Sequence, residues 1–136
     1  MPRSQPATKQ RNVTTAQMSA LREDAVRTLA EMEAAIVRTR NQLKTMETLM
    51  RRVRRMLEGG RSAVEVAQLA NAAAARAATS EIIREVQGAR HLAQQAQFKM
   101  AAAEGSSMAE IARRWGVSRQ LVSRMVKEPA PRRKKG

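Results

Sequence analysis

The chain contains no cysteine and no tyrosine, and only one phenylalanine, one tryptophan and one histidine. Without cysteine, neither a disulfide framework nor a thiolate metal site can form. Phenolic and thiol nucleophiles are excluded with them, and the lone His91 has no visible partner for metal binding or acid–base work. The serines lack an acid–base partner, and no G-x-x-x-x-G-K phosphate loop is present. The expectation is a protein that is not an enzyme, with no metal and no cofactor. No apolar run approaches the roughly 20 residues that span a bilayer. The opening MPRSQPATKQRN has no apolar stretch of the secretory kind. A cytoplasmic protein without a membrane partner is expected.

Acidic residues are also scarce. Lys and Arg number 26 against 12 Asp and Glu, giving a net charge of +14. An excess of that size predicts a polyanionic partner. It is unevenly placed: residues 105–136 hold 9 bases against 2 acids, half of the net excess. Residues 61–104 are near balance, with 5 against 4.

The apolar content is rich in alanine, which builds helices but fills little volume. Long helices packed side by side are predicted, not a thick core. Residues 1–14 are polar, contain two prolines and show no periodicity, so they read as a disordered basic arm. From 15 to 58 there is no Gly or Pro, and Leu29, Met32, Ile36, Thr39, Leu43, Met46, Met50, Val53 and Leu57 recur at steps of three and four. That spacing is a coiled-coil seam with one polar position. Gly59-Gly60 breaks the helix, and Ser62 with Glu65 forms a start signal for a second one running to Glu104. There Ile82, Val86, Ala89, Ala93, Ala96, Met100 and Ala103 repeat the pattern. Helices of 44 and 43 residues joined by a break at 59–61 predict an antiparallel hairpin. Pairing of the first helix with a second copy fits the same seam. A remaining stripe of Leu21, Val26, Val37, Leu69, Ile83 and Leu92 is expected to support a homodimer or higher homo-oligomer.

Residues 105–128 carry the functional signal. Ala112 is small where a second helix would cross, Gly116 tolerates positive φ at the turn, and Ser118 is placed to cap the next helix. Ser107 or Ser106 would cap the preceding helix, with Glu110 behind it. Ile111, Trp115, Val117, Val122 and Met125 fall where a two-helix corner buries apolar side chains, completing a core with Ala112 and Gly116. The phrase E-I-A-R-R-W-G-V-S-R-Q-L-V-S-R resembles the bacterial helix-turn-helix family, particularly the trihelical form at the C-termini of resolvases and invertases. The resemblance covers about 20 residues, or 35 if residues 90–104 supply a first helix. It implies that the second helix enters the major groove of double-stranded DNA. Carried onto this chain, Ser118, Arg119, Gln120, Ser123 and Arg124 would face base edges, with Arg119 and Gln120 leading because they can grip guanine and adenine in bidentate fashion. Leu121 departs from the small polar residue common at its place; it would meet a thymine methyl or pack inward. Arg113, Arg114 and Lys127 would lie along the DNA backbone. The tail at 129–136, with Arg132, Arg133, Lys134 and Lys135, would add phosphate contacts, and Arg3, Lys9 and Arg11 of the arm would reach the same DNA.

The resulting expectation is an all-α protein, a long helical hairpin or coiled coil followed by a C-terminal helix-turn-helix, acting as a bacterial or phage transcriptional regulator. Two alternatives stay open: an architectural protein that bridges DNA with little sequence preference, and a coiled-coil adaptor whose partner is a protein.

Overall fold

The computed structural model describes residues 13–129, and all their regular structure is helical. The arm residues Arg3, Lys9 and Arg11 and the tail residues Arg132, Arg133, Lys134 and Lys135 lie outside the described residues. In chain order the elements are α1 (Thr15–Glu58), α2 (Ala63–Leu69), α3 (Ala72–Ala103), α4 (Met108–Trp115) and α5 (Arg119–Lys127). None of these helices is long and apolar enough to cross a membrane.

Each start is set by a side chain. At the head of α1, Thr14 Oγ1 accepts from the Gln17 amide at 3.0 Å while Gln17 Oε1 accepts from the Thr14 amide at 2.9 Å. This reciprocal box satisfies two amides that the first turn leaves unpaired. Ser62 caps α2 by accepting from the Glu65 amide at 3.2 Å. The end of α1 is closed by a Schellman turn. Gly60 takes φ 90°, and the Arg61 amide donates to the Met56 carbonyl at 3.2 Å.

The helix expected to run unbroken from 62 to 104 is interrupted at Ala70-Asn71. Asn71 sits at φ 51°, the one non-glycine residue with positive φ among the described residues. Asparagine tolerates this region because its short polar side chain bonds locally. Its Oδ1 then accepts from the Ala74 amide at 3.4 Å, so one residue ends α2 and starts α3.

The chain forms two compact units, one holding the described residues up to Ala30 and from His91 onward, the other Glu31–Arg90. In the second unit α1 pairs antiparallel with α2 and α3. Arg38 is ion-paired with Glu85, Thr79 Oγ1 donates to Met46 Sδ at 3.5 Å, and the Arg52 guanidinium donates to the Leu69 carbonyl at 3.3 Å. As the position on α1 rises, its partner's falls. The covered side of α1 here is Met32, Ala35, Thr39, Gln42, Met46, Leu49, Val53 and Met56, facing Ala75, Thr79, Ile82, Val86 and Ala89.

This contact is not the seam the hydropathy pattern suggests. Met32, Thr39, Met46 and Val53 belong to both, but Leu29, Ile36, Leu43, Met50 and Leu57 are exposed, and the next position before each does the packing. Size accounts for the rotation at Ala35 and Gln42, each smaller than the residue after it, whereas Leu49 and Met56 are about as large as Met50 and Leu57. Against an alanine-rich partner, Ala35 at 1% exposure allows close backbone approach, whereas a row of Leu and Ile would hold the helices apart. The first unit follows the same rule. Ala25, Thr28, Ala93 and Ala96 are buried, and the Thr28 hydroxyl donates to the Asp24 and Ala25 carbonyls at 2.9 and 3.1 Å. Of the remaining stripe, Leu21 and Leu92 are half-buried, while Val26, Val37, Leu69 and Ile83 are exposed.

Candidate nucleic-acid interface

The first unit contains α4 and α5 packed on the end of α3. Ser107 caps α4 by accepting from the Glu110 amide at 3.1 Å, and Ser118 caps α5 by accepting from the Leu121 amide at 3.0 Å. Between the helices Gly116 adopts φ 67° and ψ 35°, a left-handed cap that starts the three-residue turn 116–118. Ile111, Ala112, Val122 and Met125 are buried in the corner, and Val117 is half-buried. Trp115 departs from the expected core. It is 39% exposed, and its ring meets the Phe98 ring edge-on with centroids 5.4 Å apart.

Phe98, fully buried on α3, is the largest side chain of this core, and the sequence pattern does not single it out. A lone aromatic in an alanine-rich helix carries no local signal of what it packs on. Ala101 and Ala102 of α3 and Leu121 of α5 join the cluster, so Leu121 packs inward at least in part. Gln95 is likewise absent from the residues that the pattern marks. It is 3% exposed, and its Nε2 donates to the Met125 and Glu128 carbonyls at 3.2 and 3.0 Å. These carbonyls belong to the last turn of α5 and to its C-cap residue Glu128, where a helix leaves acceptors without partners of its own. His91 Nε2 lies 3.4 Å from the Glu128 carboxylate beside them. Replacing Gln95 by Leu is expected to strand those carbonyls and to cost about 1–3 kcal/mol. Faster hydrogen exchange in residues 122–128 would check it, and unchanged exchange would refute the anchoring role.

The outward side of α5 is polar and basic. Arg119, Gln120, Arg124 and Lys127 are exposed and Ser123 is half-buried. Gln120, Arg124 and Lys127, at steps of four and three, share the face opposite Val122 and Met125. The Ser118 hydroxyl is engaged as a cap acceptor, which leaves its proton free to donate. Arg113 and Arg114 are exposed on α4. Among the described residues none of Arg113, Arg114, Arg119, Arg124 and Lys127 belongs to an ion pair. Between residues 15 and 104, Arg22, Arg38, Arg51, Arg54, Arg61 and Arg84 each pair with a glutamate, while Arg40, Arg52, Arg55, Arg76 and Arg90 have no carboxylate partner among the described residues. Compared with family models, curated proteins and solved structures, the chain matches none.

Proposed function

We propose that the chain binds duplex DNA through α4 and α5, with α5 as the recognition helix. The carrying observation is the set of five exposed cations, without carboxylate partners among the described residues, gathered on one short helix pair. Cations held free at the surface can replace counterions along a phosphate backbone without first breaking an internal pair. Arg119 and Gln120, in the first turn of α5, would read base edges with Ser118, Ser123 and Arg124, while Arg113, Arg114 and Lys127 would hold phosphates. One helix pair of this size offers little affinity alone, so the chain acts as an oligomer in which a second copy raises effective concentration. The role is that of a sequence-preferring regulator in the bacterial or phage cytoplasm, associated with the nucleoid.

In vitro selection of duplexes from a random pool, with the full chain at near-physiological salt, tests the reading. An enriched motif is the expected result. Tight binding without enrichment would replace it with an architectural role, and absence of binding would overturn it in favour of a protein-binding adaptor.

A further inference from the structure

The rotated seam leaves a row of large apolar side chains uncovered. In the second unit Ile36, Leu43, Met50 and Leu57 are 46, 55, 54 and 47% exposed, and they recur every seven residues along one line of α1. Leu29 holds the same heptad position. On α3, Ile83 is 51% exposed and falls between the Thr79 and Glu85 contacts, as Leu43 falls between their partners Met46 and Arg38. A monomer seldom keeps an ordered apolar row of this kind open to water.

The charges beside the row identify what covers it. Three positions before Ile36, Leu43, Met50 and Leu57 stand Glu33, Arg40, Glu47 and Arg54, all exposed and alternating in sign. The geometry points to a second copy of this chain, docked with its α1 antiparallel to the first and Leu43 meeting Leu43 of the other copy at the two-fold axis. Ile36 then meets Met50 of the other copy. On the flank, Glu33 faces Arg54 and Arg40 faces Glu47, twice over by symmetry. Antiparallel pairing sets like flanks side by side, so these charges do meet. A slip of one heptad in one direction sets Arg40 against Arg54 and Glu47 against its own copy. A slip in the other direction sets Glu33 against Glu47 and Arg40 against its own copy. Only one register pairs every charge with its opposite. Glu33 and Arg40 have no ion pair of their own among the described residues, and the Glu47–Arg51 and Arg54–Glu58 pairs are exposed and weak. A parallel dimer instead turns this flank toward the Met32, Met46 and Val53 side of the other copy and matches no charge.

This pairing gives form to the oligomer proposed above, and its test needs no DNA, so the two can fail separately. Because the chain has no cysteine, single cysteines report the register directly. Under mild oxidation at micromolar concentration, Leu43→Cys is expected to form a disulfide dimer. Ile36→Cys and Met50→Cys are expected to remain uncrosslinked alone and to crosslink when mixed. Crosslinking of all three alone would establish a parallel dimer and overturn the register. A monomer by sedimentation equilibrium of the unmodified chain would overturn the surface itself. Arg40→Glu and Glu47→Arg are each expected to weaken dimerisation at least tenfold and, combined in one chain, to restore it. Failure of the double variant to recover, with helicity unchanged by circular dichroism, would also refute the pairing.

Discussion

Replacing Arg119 and Gln120 together by alanine is expected to lower discrimination between a selected DNA site and unrelated duplex by about 2–6 kcal/mol, roughly 30-fold to 10⁴-fold. Both side chains stand exposed in the first turn of α5 and neither contributes to the buried corner. The loss should therefore appear in specificity and not in folding. Arg113 and Arg114 on α4 give the contrast. Their joint replacement by alanine should weaken binding to every sequence alike and flatten the salt dependence by about one unit of slope for each phosphate no longer neutralised. Fluorescence anisotropy with matched and unmatched duplexes over a salt series separates the two outcomes. An unchanged specificity ratio in the Arg119/Gln120 variant would remove α5 from the groove.

The second large effect lies in the core. Phe98→Ala is expected to destabilise the unit formed by α4, α5 and the end of α3 by about 3–5 kcal/mol. Phe98 is fully buried among Ile111, Val122 and Met125 and meets the Trp115 ring edge-on. Little else of similar volume fills that space, because the α3 residues that join it there, Ala101 and Ala102, are small. Chemical denaturation followed by Trp115 fluorescence would report the loss. A change below about 1 kcal/mol would mean that α3 is dispensable to the corner.

What could be read from the sequence follows from the range of the interactions involved. The turn between α4 and α5 is written in residues that act on their immediate neighbours: Gly116 by its backbone freedom, Ser118 and Ser107 by capping amides three positions on. Each leaves a local signature, and each stands where that signature puts it. Gln95 acts across 30 residues of chain to Met125 and Phe98 reaches as far as Met125 too, and nothing near them in sequence announces α5 as their partner. Asn71 was illegible for another reason: in a run of alanines a single asparagine costs a helix little, and only its observed φ reveals the break. The hairpin seam shows the deepest difficulty. Periodicity ranks positions by how strongly they avoid water, whereas a close helix pair ranks them by how little space they occupy. Leu29, Ile36 and Leu43 win the first ranking, and Thr28, Ala35 and Gln42 win the second.

The double anchor from Gln95 to the last turn of α5 has a kinetic meaning. A nine-residue helix standing alone in water would spend most of its time unwound. Here its start is held by Ser118 and its end by a buried amide from α3, so its shape exists before any ligand arrives. The entropy of ordering it is spent during folding and is not charged again at each encounter. On the proposed reading, a DNA duplex would meet a finished template, and the rate of capture would be set by diffusion, orientation and the field of the exposed arginines.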